Sequence, residues 1–410
     1  KELEKKLAVM NKTPDSVKTA LVLPGGGARG AFQVGVLKAL AEIMPKSSPN
    51  PFSVISGTSA GAVNSVVLAS RAAHFRSALV ELETVWSNFR CNQVYKTDNL
   101  TMLKSSLHWL TSIVLGGWIV GMPKSLLDNS PLRELLRRNV HFPRIQQAID
   151  RGYLDAVAVT AAGYSSARSK SFFEAGPHHA NWERTRRLGK RTDLSLDHLM
   201  ASIAVPMVFP PQQIGLEYYG DGAMRQATPL SPAMHLGADR ILVIGIRDEA
   251  GEKEPTELAP SPSFGQIAGY MLDTLFMDGL YSDLERLTRI NELIDSVPPQ
   301  QRGGALAKVR PIDTMLVVPS EDLRDIAARH RQELPFAIRA LLRGVGGKSS
   351  GENKLLSFLL FEQAYTRELI ALGYRDAMNV KEQLLTFVTG ADVPRLFAPD
   401  WVKRDLSSLQ

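Results

Sequence analysis

Short apolar runs alternate with helical segments along most of this sequence, and that alternation limits the fold more than any other feature. The runs have the length and composition of buried strands, and they lie at residues 20–23, 53–55, 156–160, 241–246 and 315–318. Several helical segments between them begin with proline in the first turn, namely Pro131, Pro143 and Pro232. Strands that alternate with helices predict a mainly parallel sheet covered on both faces. The expected fold is therefore α/β, a three-layer sandwich around one central sheet.

Changes in polarity divide the chain into four expected parts. Residues 1–17 are expected to form an N-terminal helical extension, and residues 18–250 the α/β domain. Residues 251–265 are polar and proline-rich, which predicts a surface loop. Residues 266–410 are mostly helical in pattern, with one further strand near 315–318. We expect these C-terminal helices to offer a contact surface for a second copy of the chain.

Charge and cysteine content exclude several classes of protein. The sequence has 48 basic and 42 acidic residues, and the net charge of +6 permits contact with anionic surfaces. Because basic residues do not form a stripe with interleaved aromatic residues, we expect no nucleic-acid partner. A single cysteine excludes a disulfide framework and a zinc ribbon. Residues 1–15 lack the apolar core of a secretory signal, and no apolar run reaches about 18 residues, so we expect a cytoplasmic location.

A glycine-rich turn follows the first predicted strand. Gly25, Gly26 and Gly27 precede Arg29 and a predicted helix. Backbone N–H groups at such a turn bind anions, either a phosphate or a transient oxyanion. A dinucleotide site of the Rossmann type would place a carboxylate at the end of the next strand. That strand ends near Ser56 with no carboxylate nearby, which disfavours dinucleotide binding.

The second predicted strand runs into the pentapeptide Gly-Thr-Ser-Ala-Gly, which opens a helix. This Gly-x-Ser-x-Gly pattern between a strand and a helix is typical of a nucleophile elbow. Gly57 and Gly61 permit the tight turn, and Ser59 then presents its hydroxyl at the edge of the sheet. An ordinary glycine–serine turn is the alternative interpretation.

A serine nucleophile needs a proton acceptor, which is usually a histidine. None of the eight histidines stands in a late strand-end loop where a hydrolase histidine is expected, and His198 lies inside a predicted helix. A carboxylate is the other solution. Asp221 stands between Gly220 and Gly222, directly after a strand-like run at 214–219. A simple turn also explains an isolated Gly-Asp-Gly. This motif therefore indicates a functional site only together with the glycine-rich turn and the Gly-x-Ser-x-Gly motif.

Taken together, the three motifs resemble those of the patatin-like phospholipase family. The resemblance covers roughly residues 18–250 and includes the stretch ASIAVPMVFPP at 201–211. In that family a Ser–Asp dyad hydrolyses acyl esters without histidine or metal. The resemblance implies that Ser59 is the nucleophile and Asp221 the base. It also implies an oxyanion hole, whose residues are Gly25, Gly26, Gly27 and Arg29.

The resemblance implies a lipid acyl hydrolase of the phospholipase A or lysophospholipase type, which works through an acyl-enzyme. An acyltransferase or a thioesterase could use the same dyad, because an acyl-enzyme can pass its acyl group to water or to another acceptor. A non-enzymatic membrane-binding module is a third hypothesis, and the intact Ser59 and Asp221 motifs argue against it. The sequence contains no metal-ligand spacing, so we expect neither a metal nor another cofactor.

Two segments predict contact with a lipid surface. Residues 107–121 are apolar and carry Trp109 and Trp118, which suits a lid or an interfacial anchor; a buried pair of cap helices is the alternative. Residues 183–191 hold five basic side chains and one acidic one, which suits anionic headgroups or, alternatively, a solvated loop. We therefore expect a phospholipid or other lipid ester as substrate, and peripheral contact with a membrane surface.

Overall fold

The computed structural model describes residues 17–97, 125–247, 261, 264–304, 306, 309–336, 338–339, 350–390 and 392–407. Nearly all of the expected N-terminal extension, most of the expected 251–265 loop and the apolar segment 107–121 lie outside these residues. Within the described ranges, no helix combines the length and apolar character needed to cross a bilayer.

In the described part of the chain, eleven strands form one sheet with the order β11-β10-β9-β1-β2-β3-β4-β6-β5, and β8 pairs with β3 and with β7. Their bounds are β1 (Thr19–Leu23), β2 (Val54–Thr58), β3 (Ala156–Gly163), β4 (Ser169–Ala175), β5 (Trp182–Arg184), β6 (Arg187–Arg191), β7 (Gln212–Ile214), β8 (Glu217–Asp221), β9 (Arg240–Ile244), β10 (Asp313–Val317) and β11 (Leu396–Phe397). Every neighbouring pair from β11 to β3 is parallel. The predicted α/β fold with a mainly parallel central sheet is confirmed.

Helices connect these strands and cover the sheet. The described helices are α1 (Gly30–Ile43), α2 (Ala60–Ser70), α3 (Phe75–Ser87), α4 (Cys91–Val94), α5 (Ser130–Asn139), α6 (Pro143–Asp150), α7 (Leu196–Ser202), α8 (Ser231–His235), α9 (Phe264–Asp295), α10 (Leu323–Arg329), α11 (Ser350–Leu359), α12 (Gln363–Asn379), α13 (Lys381–Val388) and α14 (Asp400–Ser407). Proline stands in the first turn of α5, α6 and α8, as the sequence predicts.

Alternate residues of the central strands face two separate apolar layers. In β1, Leu21 and Leu23 belong to one layer, whereas Ala20 and Val22 belong to the other. The first layer contains residues of α1, α2, α3 and α12. The second contains residues of α8, α9 and α14. The sheet is therefore the middle of three layers, and its central strands are buried on both faces.

Two segments differ from their sequence-based interpretation. The run at 214–219, which looked like one strand, is the hairpin of β7 and β8, and it turns at Gly215, where φ is +62°. The basic run at 183–191 forms the β5–β6 hairpin rather than a plain solvated loop. The β5–β6 hairpin forms the outer edge of the sheet and is mostly exposed, whereas β8 pairs with β3 and is buried only over its last three residues. Neither hairpin therefore has the continuous apolar pattern that marks a buried strand.

The C-terminal helices pack into the same core as the first helix. Helices α1 and α12 approach closely because each offers a glycine to the other's backbone. A Cβ added at Gly35 would lie 2.1 Å from the Ile370 carbonyl oxygen, and one added at Gly373 would lie 2.2 Å from the Phe32 carbonyl oxygen. One face of α12 is thus used within the chain, and the expected contact with a second copy stays a prediction.

We expect Gly35→Ala to destabilise the fold by about 2–3 kcal/mol, because the new methyl group forces α1 and α12 apart. Gly303→Ala is the matched control, since nothing lies within 4 Å of a Cβ added there. Urea unfolding followed by circular dichroism measures both variants, and the control should change by less than about 0.5 kcal/mol. An unchanged unfolding midpoint for Gly35→Ala would show that the close helix contact is not needed for stability.

Candidate active site

Strand register brings the three predicted motifs to one edge of the sheet. Strands β1 and β2 are parallel neighbours, so the glycine-rich turn after β1 lies beside Ser59, which follows β2. Thr58, the residue before Ser59, pairs with Thr160 of β3. The next residue of β3, Ala161, pairs with Asp221 of β8. The carboxyl edge of an open α/β sheet, where ligands of such sheets bind, therefore carries all three motifs.

Ser59 occupies a strained turn between β2 and α2. Its backbone has φ 54° and ψ −128°, a conformation that side-chain-bearing residues seldom adopt. The flanking glycines make this turn fit: a Cβ at Gly57 would lie 2.3 Å from the Gly61 carbonyl oxygen, and one at Gly61 would lie 2.0 Å from the Leu23 carbonyl oxygen. Ser59 thus caps the N-terminus of α2, where the helix dipole favours developing negative charge. The geometry is that of a nucleophile elbow.

Asp221 is a buried carboxylic acid beside Ser59. Its side chain is 1% exposed, and burial raises its pKa to about 7 despite the opposing effects of the Ser59 hydroxyl and the Ala223 N–H. The Ala223 N–H donates to Asp221 Oδ1 at 2.9 Å. No described residue completes a hydrogen bond to Oδ2. A carboxyl with a pKa near neutrality and an open oxygen suits a general base, and such contacts tighten when substrate binds.

Segment 201–204 holds both of these residues, a role that the sequence analysis missed. Ser202 Oγ accepts a hydrogen bond from the Ser59 N–H at 2.9 Å and donates one to the Thr160 carbonyl oxygen at 2.7 Å. The Asp221 N–H donates to the Ala204 carbonyl oxygen at 2.8 Å. The stretch ASIAVP was noted only as a run ahead of Asp221. The signal in the sequence was a polar serine within an apolar run, and the structure shows that this Ser202 is fully buried.

The glycine-rich turn lies against the C-terminal part of the chain. Gly25 and Gly26 lead into a short 3₁₀ helix that begins at Gly27, where φ is +54°. A Cβ added at Gly27 would lie 2.3 Å from the Phe358 carbonyl oxygen. Gly27 and Ser59 line the same cavity. The turn is therefore placed to present backbone N–H groups toward a group bound at Ser59, and that use stays a prediction.

The side chain of Arg29 is directed toward α11. Its Nε and Nη2 atoms donate to Ser357 Oγ at 3.0 and 2.7 Å, and its guanidinium lies 4.0 Å from the ring centroid of Phe358. Arg29 is 2% exposed. These contacts anchor the glycine-rich turn to the C-terminal region. The expected help of Arg29 to an oxyanion stays a prediction.

His198 and His235 make hydrogen bonds within their own helices or helix caps rather than with Ser59. His198 Nδ1 accepts from the Ser195 N–H at 3.0 Å and caps α7, and burial lowers its pKa to about 4. The His235 ring contacts the Ser231 carbonyl oxygen at 2.8 Å. Among the described residues, one group of three metal-ligating side chains lies close together, and it stands at the other edge of the sheet.

An apolar cavity opens beside Ser59. Its volume, including the part open to solvent, is about 1000 Å³. Helices α2, α3 and α5, the segment 203–209 and the end of α11 form the walls. The lining residues include Val63, Val85, Trp86, Leu136, Phe209 and Phe361. Such a space suits a flexible apolar chain whose polar end lies at Ser59.

Comparison with known proteins identifies related sequences. The sequence model of the family described as "Patatin-like phospholipase" matches residues 21–234. A cGAMP-activated phospholipase from Pseudomonas aeruginosa is 26% identical over 204 residues, which are 50% of this chain and 52% of that protein. The chain therefore spans about half the length of this curated relative.

Two solved structures match this chain at low similarity. VipD from Legionella pneumophila is 13% identical, with a TM-score of 0.38, and the match covers 91% of this chain and 69% of VipD. The ExoU–SpcU complex of the Pseudomonas aeruginosa type III secretion system is 15% identical, with a TM-score of 0.28, and the match covers 96% of this chain and 75% of the matched chain.

The raised pKa of Asp221 predicts how its replacement changes stability with pH. Because the folded state holds this proton more tightly than the unfolded chain, the contribution of Asp221 to wild-type stability falls as pH rises from about 4 through about 7. Asp221→Asn carries no charge, so at pH 8 it should be about 2–4 kcal/mol more stable than wild type. The gain should vanish near pH 4. Urea unfolding at both pH values tests this, and a gain independent of pH would contradict a buried ionising carboxyl.

Proposed function

Because this chain belongs to the patatin-like phospholipase family, we propose that it hydrolyses acyl esters of lipids, with Ser59 as nucleophile and Asp221 as general base. The observation that carries this proposal is the pairing of a strained, buried Ser59 with a buried Asp221 whose pKa is about 7. Ser59 lines an apolar cavity, and Asp221 lies beside Ser59. Nucleophile, proton acceptor and substrate space therefore meet at one place.

In the first half of the proposed reaction, the Ser59 hydroxyl oxygen attacks the ester carbonyl carbon while Asp221 takes the hydroxyl proton. The carbonyl π electrons move to oxygen, and the resulting oxyanion accepts hydrogen bonds from the backbone of residues 25–27. Collapse of this intermediate breaks the bond to the alcohol. The departing alkoxide takes the proton from Asp221, and the acyl group stays on Ser59.

In the second half, a water molecule takes the place of the alcohol. Asp221 removes its proton while the oxygen attacks the acyl carbon, and the same backbone groups stabilise the second oxyanion. The bond between the acyl carbon and the Ser59 oxygen then breaks. Ser59 regains its proton from Asp221, and a fatty acid is released. Every proton moves between Asp221, Ser59, water and the alcohol, so the proposed route draws on no cofactor.

The cavity supports a long acyl chain as the part of the substrate that is bound. Its walls are aliphatic and aromatic, and apolar surface buried there contributes about 25 cal/mol per Å² to binding. A phospholipid or lysophospholipid provides such a chain with an ester at one end. Helix α11 supplies Phe358 and Leu359 to the wall, so the C-terminal region takes part in substrate binding in this proposal.

Ser59→Ala should abolish ester hydrolysis without unfolding the protein, because only one hydroxyl is removed. A fluorophosphonate probe should label wild type and fail to label the variant.

Asp221→Asn should lower kcat about 100-fold or more, in line with the loss of a general base. Incubation with defined phospholipids, lysophospholipids and triglycerides, followed by mass spectrometry, measures the products.

His198→Ala and His235→Ala are the controls for the dyad, and both should keep most activity. A loss equal to that of Asp221→Asn would replace the dyad with a triad. Acyl groups recovered on a second lipid or on a thiol, instead of as free fatty acid, would assign an acyltransferase or a thioesterase.

We also propose that the carboxyl edge of the sheet contacts a membrane surface. Three connections project there: the turn at 164–168, the β5–β6 turn at 185–186 and the β7–β8 turn at 215–216. Leu216 is fully exposed, and Tyr164 and Tyr218 are about half exposed. Partial burial raises the pKa of Tyr164, and the nearby charge of Asp221 raises it further, so this tyrosine lies near Asp221. These partly apolar turns therefore lie at the same edge of the sheet as the candidate site.

Basic side chains at the same edge favour anionic lipid. Arg184 and Arg186 are exposed beside the β5–β6 turn, and the Arg186 carbonyl oxygen accepts from the Ser169 N–H at 2.9 Å, which ties this turn to the start of β4. Each basic residue near a charged membrane adds roughly 1 kcal/mol of attraction. The expected anchors Trp109 and Trp118 lie outside the described residues, so this surface is proposed without them.

Leu216→Asp should weaken binding to vesicles of phosphatidylcholine and phosphatidylglycerol about tenfold, since it places a charge where an apolar side chain would enter the interface. Leu293→Asp, at an equally apolar exposed position near the end of α9, is the matched control and should bind as wild type does. Vesicle sedimentation measures both. Activity on a short soluble ester should be kept, and an equal loss on that substrate would show that the hairpin supports the dyad instead.

A further inference from the structure

Three metal-ligating side chains meet at the amino edge of the sheet, away from the dyad. Asp155 directly precedes β3, and His178 and His179 follow β4. Because β3 and β4 are antiparallel and pair through their end residues Ala156 and Ala175, these two chain segments are brought side by side. The Gly176 N–H also donates to the Asp155 carbonyl oxygen at 3.2 Å. Sheet pairing therefore builds the cluster from residues far apart in sequence.

We propose that Asp155, His178 and His179 bind a divalent transition-metal ion of the Zn²⁺ class. Each residue offers one ligand atom, and these atoms lie within 4.8 Å of one another. The two imidazole rings are neighbours, with centroids 4.1 Å apart. Two imidazoles and one carboxylate form a donor set that suits zinc, with water as the fourth ligand.

A second observation points to a ligand at this place. His179 Nε2 is buried and has no hydrogen-bond partner within the described part of the chain. Buried polar atoms in folded proteins nearly always have a hydrogen-bond partner or a ligand. A buried imidazole nitrogen without a hydrogen-bond partner therefore indicates a bound ligand. A metal ion between His179 and the other two side chains supplies it. Imidazole donors favour zinc, copper or nickel over magnesium and calcium, which prefer oxygen ligands.

Lys18 competes with the metal for the carboxylate. Its Nζ lies 2.7 Å from Asp155 Oδ2, and both side chains are about one-third exposed. A bound cation must share or displace this ion pair, which lowers affinity for the metal. The competition provides a diagnostic variant, because removal of the ammonium group should strengthen metal binding instead of weakening it.

The site would support structure and would not take part in the proposed reaction. Asp155 precedes the first residue of β3, whereas the residue paired with Thr58 is Thr160, so about 16 Å of strand separates the cluster from the dyad. A metal here would tie the start of β3 to the end of β4. Its binding can therefore be measured without reference to hydrolysis, and either proposal can fail alone.

The test uses the full chain, stripped with a chelator and then freed of it. Titration with ZnCl₂ in a calorimeter should give one site, and saturating zinc should raise Tm by about 3 °C. His178→Ala combined with His179→Ala should abolish both effects. His141→Ala, an exposed histidine elsewhere, is the matched control and should keep both. Lys18→Gln should tighten zinc binding about fivefold.

Three results would overturn the proposal. The first is an absence of saturable zinc binding in wild type. The second is binding that persists in the double histidine variant, which would place the metal on other residues. The third is equal stabilisation by MgCl₂, which would indicate a general ionic effect. Fluorophosphonate labelling of Ser59, run in parallel, reports on the dyad and should not respond to zinc.

Discussion

The candidate site depends on the parallel pairing of β1, β2 and β3. This pairing places the glycine-rich turn and Ser59 at adjacent strand ends, and β8 then adds Asp221 through its antiparallel register with β3. A shift of one residue in any of these pairings would turn a side chain to the opposite face of the sheet. The apolar layers on both faces fix the register, because Leu21 and Ala20 belong to different layers.

The two residues proposed to react both lower the stability of the folded state. Ser59 has a strained backbone conformation, and Asp221 holds a carboxyl where burial disfavours its charge. Neighbouring groups hold both in place: Ser202 bonds the Ser59 N–H, and Ala204 bonds the Asp221 N–H. Strain and burial of this kind persist only where the surrounding structure determines them, and the packed segment 201–204 meets that requirement.

The C-terminal region completes the site although it lies beyond the family match at 21–234. Helix α11 anchors Arg29 through Ser357, and the close approach of Phe358 to Gly27 requires glycine in the turn. Its last residues also form part of the cavity wall. Helix α12 packs on α1 through paired glycines. The C-terminal region is therefore integral to the core and to the cavity.

The sequence by itself determined the central strands, the elbow around Ser59 and the α/β class, because apolar runs and glycine spacing are local signals. It also singled out Asp221 by its flanking glycines. Only the tertiary structure decided how close Asp221 lies to Ser59, how burial raises its pKa, and which walls form the cavity. It alone brought Asp155 beside His179. These properties arise from contacts between distant segments, and such contacts leave no periodic pattern in the chain.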